Sequence, residues 1–226
     1  MERALNRMRK HPFLVRIWRS QLDLGPAMKL IGALDFLDHS DINLTGRENG
    51  LDDIIVVADD DKLYSKNWLP PLIHMSSRFP DAAIGYRGYV MTTDEAIMCV
   101  TPRHSVCRAN ALMGYSGVVY KRSFFSFAFL VNFYSTFPPH IRECMFGADD
   151  EFFGAAMSHL NIPALVISNA GERKFSTIPR VKEHSRVYQG DKASRVQMQK
   201  KIWRYLSSAG LLTLIEPLIL NISVSA

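Results

Sequence analysis

The stretch Ile54-Ile55-Val56-Val57-Ala58-Asp59-Asp60-Asp61 decides how this chain is read. Its apolar run is too short for a helix and does not alternate with polar residues. It therefore predicts a strand buried on both faces, as in a parallel sheet. In an open α/β sheet, ligands bind beyond the carboxyl ends of the strands, and the three aspartates stand at that position. Adjacent carboxylates raise the cost of ionising one another. A hard divalent cation offsets that cost, and Mg²⁺ or Mn²⁺ takes one or two carboxylates together with phosphate oxygens and water. Residues i and i+2 of an extended segment point the same way, so Asp59 and Asp61 share a task while Asp60 faces elsewhere. A solvated acidic turn that helps to start the next helix is the competing reading.

Upstream, Phe13–Trp18 predicts a strand, Asp23-Leu24-Gly25-Pro26 a turn, and the following residues a helix with Ala27, Leu30, Ile31 and Leu34 on one side. Residues 38–50 read as a polar loop. Downstream, Trp68, Leu69, Leu72, Ile73 and Phe79 recur at helical spacing, with Pro70 and Pro71 tolerable only in the first turn. Ala82–Met91 reads as one strand weakened by Gly85 and Gly88, and 92–113 as irregular. Gly117–Tyr120 predicts a brief strand before a helix from about Ser123. Asp149–Leu160 predicts a helix, Pro163–Ser168 a strand, and Ser194–Leu206 a helix with Val196, Ile202, Trp203 and Leu206 inward. Interleaved strands and helices predict an α/β fold, a mostly parallel sheet flanked by helices. We read residues 1–226 as a single domain with a core over about 12–170 and a helical extension over about 186–226.

Composition fits a globular protein: 226 residues, 47% hydrophobic and 22% charged, with a net charge of +5. Arg3, Arg7, Arg9 and Lys10 form the one basic cluster. We read it as a solvated helix face and expect no nucleic-acid partner. Cys99, Cys107 and Cys144 lack CxxC spacing and suggest neither a zinc site nor a disulfide framework, which makes a reducing, cytoplasmic compartment the default. No signal peptide is seen ahead of the sequons at Asn43 and Asn221. The apolar tail Leu211–Val224, interrupted by Glu216 and Pro217, is short for a membrane helix. It reads as a packed element, with peripheral membrane contact as the alternative.

The stretch from Asp52 to Leu72, DDIIVVADDDKLYSKNWLPPL, resembles the DxD region of nucleotide-diphospho-sugar glycosyltransferases of the GT-A (Rossmann-like) fold, family 2 in particular. Three further segments carry the resemblance. Asp23–Lys29 is similar to a DxGPxxK element, Gly114–Tyr120 to a glycine-containing segment lining the donor and acceptor cleft, and Gly147–Phe153 to an acidic helix start. The resemblance implies Asp61 as the direct ligand of Mn²⁺ or Mg²⁺, and Asp59 as a ligand through water or a contact to the donor ribose. It implies Asp60 at the donor, Lys29 at a phosphate, and Gly114, Tyr115 and Gly117 along the cleft. Asp150, with Asp149 second, matches the general base that takes the acceptor's proton in inverting enzymes. For the glycines and the two aspartates, a plain turn and helix capping are the bland alternatives. The implied partners are a nucleotide-diphosphate sugar and a glycan, lipid or protein bearing a free hydroxyl.

The resemblance also implies one or two βα units ahead of Asp23. Only 22 residues precede it, so we expect an N-terminally shortened sheet with an edge that another chain can cover. His184 is a candidate further metal ligand, and Arg87, Arg173 and Lys174 are candidates for neutralising the diphosphate. A catalytically silent GT-A-like binding or scaffold protein is the alternative reading. A phosphoryl or nucleotidyl transferase would call for a GxxxxGK[ST] loop, which the sequence lacks.

Overall fold

The computed structural model of the protein describes residues 18–39, 53–91, 96–99, 105–167, 175–177, 192–212 and 219–221. A 3₁₀ turn over Gly25–Ala27 leads into helix α1 (Met28–His39), which buries Leu30, Ile31 and Leu34 as their spacing predicts. Pro26 stands in the first turn, where a backbone N–H would have no helical partner, so the missing N–H costs nothing. Strands β1 (Ile54–Val57) and β2 (Lys62–Tyr64) follow, then α2 (Leu69–Arg78) with both prolines in its first turn. Next come β3 (Ala83–Gly85), β4 (Gly88–Met91), β5 (Ala96–Met98), β6 (Ser105–Ala109), β7 (Ala111–Leu112) and β8 (Val118–Lys121). Helices α3 (Phe127–Thr136), α4 (Pro139–Met145) and α5 (Asp149–His159) precede β9 (Ala164–Ile167), β10 (Phe175–Thr177), α6 (Lys192–Ser208) and β11 (Ile219–Asn221).

The main sheet has the order β1-β8-β3-β9-β6-β11. Among the described residues, only β3 and β9 pair in parallel; the other four ladders of this sheet are antiparallel. The fold is therefore mixed α/β, and the expectation of a mostly parallel sheet is corrected. The β-branched run misled because β1 lies at one end of the sheet among the described residues. There it pairs antiparallel with β8 and leaves Ile54 37% exposed while Ile55 and Val57 are buried. Such a run looks the same whether its second face is fully or partly covered.

Side chains alternate across the sheet as a pleat requires. Ala83, Val118, Tyr120, Ala164 and Val166 join the core beneath α1, α3, α5 and α6, with Leu30, Leu130, Phe152 and Ile202. Ile84, Val119, Leu165 and Ile167 pack on the opposite face around the fully buried Leu72 of α2. The sheet thus has helices on both faces.

Several local expectations change. Ala82–Met91 is two strands, β3 in the main sheet and β4 in a smaller sheet of order β5-β4-β7. The two layers come so close at Gly88 that a Cβ there would lie 2.5 Å from the Ala111 carbonyl oxygen and 2.8 Å from Val166. The stretch 92–113 supplies β5, β6 and β7. Helix α3 starts at Phe127, because Ser126 caps it by accepting the Phe129 N–H and a 3₁₀ turn occupies Arg122–Phe124. In α6, Ile202 and Leu206 are buried but Val196 is 40% exposed. Cys99 and Cys107 form a disulfide, which the spacing of the cysteines did not suggest, and Cys144 is free. The apolar tail returns to the sheet as β11 against β6. No helix among the described residues is long and apolar enough to cross a membrane. The strand expected at Phe13–Trp18 and the loop at 38–50 lie largely outside the described residues.

Candidate functional site

The four sequence segments meet at one place. Lys29, in the first turn of α1, puts its Nζ 2.8 Å from Asp59 Oδ1 and 2.9 Å from Asp149 Oδ2. Asp59 lies just past the end of β1, and Asp149 opens α5. Asp149 keeps only 10% of its side chain exposed, against 22% for Lys29 and 26% for Asp59. Burial works against the Lys29 charge, but Asp149 above all, together with Asp59, outweighs it and holds the ammonium above its usual pKa.

Asp149, Asp150 and Glu151 fill the first turn of α5, where the helix dipole favours negative charge. The N-cap is Ala148 and no side chain caps this helix, so the capping role open to Asp149 and Asp150 is not used. Asp150 instead accepts the Gly114 N–H at 2.8 Å through Oδ1. Burial, then the charges of Asp149 and Glu151, push its carboxyl well above the usual range. Glu151 is raised as well, chiefly by burial, and accepts from Gln199 Nε2 of α6 at 2.7 Å. Gly114 leaves space that the Lys29 ammonium fills, since a Cβ there would lie 2.7 Å from Lys29 Nζ and 3.4 Å from Asp150 Oδ1.

Tyr64 of β2 binds the segments together. Its hydroxyl accepts the Asp59 N–H at 2.8 Å and donates to the Tyr115 carbonyl at 3.2 Å. Burial first, with the Asp59 charge also contributing, pushes this phenol up to about 12. Trp68 Nε1 donates to the Ser116 carbonyl at 2.9 Å, and Gly117, at φ 99°, leaves room for that indole. Arg87 Nη1 donates to the Tyr115 hydroxyl at 3.0 Å, while Lys62 and Arg87 both lie over the Tyr115 ring, 5.7 and 5.9 Å from its centroid. Tyr89 of β4 is raised above its usual pKa by burial, then by the nearby Glu151 and Asp150.

The aspartate triplet lies in the turn between β1 and β2, and its members take different partners. Asp59 pairs with Lys29, Asp61 pairs with Lys62 at 2.8 Å, and Asp60 is exposed. The Oδ1 of Asp61 and the Oδ2 of Asp149 are buried without a hydrogen bond, each meeting only a lysine ion pair. No group of three or more metal-ligating side chains is assembled among the described residues. Mg²⁺, however, usually takes one or two carboxylates and completes its shell with phosphate and water. The carboxylates of Asp59 and Asp61 are the hard-oxygen donors such an ion takes, and each is held at present by a lysine that the ion would displace or share.

Of the residues singled out in the sequence, the structure brings Lys29, Asp59, Gly114, Asp149 and Asp150 into contact, with Tyr115 and Gly117 nearby. The sequence reading assigned no site role to Tyr64, Trp68, Lys62, Tyr89, Glu151 or Gln199. Tyr64 had a signal, the tyrosine following the aspartates, whereas nothing in the sequence ties Gln199 to a residue 48 positions earlier. His184, Arg173 and Lys174 lie outside the described residues. No protein-family model matches the chain, and no curated protein matches it.

Proposed function

We propose that this chain is a metal-dependent glycosyltransferase of GT-A type, moving a sugar from a nucleotide-diphosphate donor to an acceptor hydroxyl with inversion. One observation carries the reading. A single ammonium, that of Lys29, bridges the aspartate after β1 to the acidic start of α5, and the same Nζ crowds the glycine whose N–H binds Asp150. Four segments far apart in sequence thus share one small volume, with opposite charges arranged for two tasks.

The first task is the leaving group. Asp61 and Asp59 would hold Mn²⁺ or Mg²⁺, which when bound acts as a Lewis acid on the diphosphate. Lys29 and the exposed Arg87 present fixed positive charge to the phosphate oxygens, where negative charge grows as the glycosidic bond breaks. Asp60 is free to contact the donor's hydroxyls. The second task is the acceptor. Asp150 takes the proton from the acceptor hydroxyl as that oxygen attacks the anomeric carbon, and the electron pair of the broken bond leaves with the nucleotide diphosphate. The ionised form of Asp150, which the Gly114 N–H and the Lys29 charge favour, is the base, and that N–H fixes its direction. Attack from the face opposite the leaving group inverts the anomeric carbon. The acceptor hydroxyl belongs to a glycan, lipid or protein.

The test is a thermal-shift screen of nucleotide sugars with Mn²⁺, followed by a transfer assay with those that bind. Asp61→Ala is expected to abolish metal-dependent donor binding while leaving the fold intact. Unchanged donor affinity in that variant by calorimetry removes Asp61 from the site. A silent scaffold remains the second reading, favoured by the ion pairs that already satisfy Asp59 and Asp61. Absence of both donor hydrolysis and transfer with Mn²⁺ would select it.

A further inference from the structure

We infer that Lys29 is a resident counter-cation, one that a divalent ion must compete with at Asp59 and that a diphosphate draws away. The inference rests on the metal site proposed above, and it assigns an order to that site's filling. Lys29 Nζ lies within 3 Å of one oxygen each of Asp59 and Asp149. Those are the positions from which a cation would approach the same carboxylates. Asp149 is nearly fully buried, and its Oδ2 has no hydrogen bond beyond this ion pair. Without a cation beside it, that carboxylate would stand uncompensated in a poorly solvated place, which is costly.

The lysine holds the empty site together, and by the same contact it lowers the site's attraction for a free divalent ion. A diphosphate changes the balance because it offers Lys29 a second set of anionic oxygens. As Nζ moves toward them, Asp59 is released to the metal. Metal and diphosphate therefore bind with positive coupling, each strengthening the other by the same factor. Gly114 belongs to this device. Its missing Cβ is what admits Nζ, since a methyl group there would sit 2.7 Å from that nitrogen. The atom crowded is the end of a flexible side chain, and Gly114 does not use a positive φ. Gly114→Ala should therefore push the ammonium aside without disturbing the backbone.

The experiment titrates Mn²⁺ into the full chain and follows free Mn²⁺ by electron paramagnetic resonance, with and without inorganic pyrophosphate. Lys29→Met and Gly114→Ala are expected to bind Mn²⁺ alone about tenfold more tightly than the parent, and Lys29→Arg to resemble the parent. Pyrophosphate should tighten Mn²⁺ binding in the parent and in Lys29→Arg but have little effect in Lys29→Met. Circular dichroism checks each fold, and Gly114→Ala decides the matter if Lys29→Met does not fold. Equal or weaker Mn²⁺ binding in Gly114→Ala or a folded Lys29→Met overturns the inference. Absence of Mn²⁺ binding in every variant overturns it together with the metal-dependent reading. Tighter binding in the variants, with no sugar transfer by the parent, keeps the inference and removes the glycosyltransferase.

Discussion

Replacing Lys29 with Met tests the ion-pair geometry independently of any ligand. Opposite charges 2.8–2.9 Å apart attract by roughly 6 kcal/mol gross per pair at an effective dielectric near 20. Lys29 makes two such contacts, but desolvation of three charged groups cancels most of that attraction. Removing one partner from a buried pair typically costs about 3–5 kcal/mol, because the remaining charge is left uncompensated. The side chains here keep between 10% and 26% of their exposure, so water recovers part of the loss. We expect Lys29→Met to cost about 3 kcal/mol, or about 6–12 °C in Tm for a chain of this size. Asp149→Asn added to Lys29→Met should recover about 1–2 kcal/mol, since it removes the stranded charge. Urea denaturation followed by circular dichroism near neutral pH, run as a double-mutant cycle, measures both quantities. The pH dependence has a definite sign. The folded pKa of Lys29 is raised, so its contribution is full below about 10.5 and is lost as pH rises through the folded value. The gap between parent and variant should therefore close only in strong alkali. A single variant within about 0.5 kcal/mol of the parent, or a cycle without coupling, refutes the reasoning.

Asp150→Asn should abolish transfer and yet stabilise the fold. The raised folded pKa means that the native state holds this proton, so stability is full below about 3.8 and is lost as pH rises through the folded value. The variant's melting temperature should exceed the parent's at mildly alkaline pH and match it near pH 3.8; a lower value at alkaline pH contradicts the assignment. Tyr64→Phe removes the acceptor for the Asp59 N–H and the donor to the Tyr115 carbonyl, for an expected loss of about 1–3 kcal/mol in denaturant titration. Gly117→Ala places a methyl group 2.6 Å from Trp68 Nε1 at a positive φ. It should cost about 2–4 kcal/mol and shift the tryptophan fluorescence, and an unchanged spectrum would mean that the indole is not held there.

The sequence made local elements legible where one pattern dominated. The 3.6-residue spacing of Leu30, Ile31 and Leu34, the prolines opening α2, and the acidic start of α5 each have one physical reading. Strand pairing was another matter, because a buried run carries its burial in its residues but not the direction of its neighbours. Ile54–Val57 therefore suggested parallel partners and met an antiparallel one in β8. The break between β3 and β4 was visible only as two glycines, since the close crossing at Gly88 depends on Ala111 and Val166. At the site, the segments that carry the resemblance contribute Lys29, Asp59, Gly114, Asp149 and Asp150, and the structure brings these residues into contact. Tyr89 and Gln199 escaped because their importance lies in tertiary neighbours, chiefly Glu151 and Asp150.

The pairing of β11 with β6 gives three residues near the far end of the chain an influence on aggregation. Ile219, Leu220 and Asn221 cover the backbone of Cys107, Val106 and Ser105. A version of the protein cut before Ile219 would leave that row of amides and carbonyls ready to recruit strands from other molecules. Affinity tags and deletion series should therefore leave this sealing strip intact, because its loss would be read as insolubility while the chemistry around Lys29 was untouched.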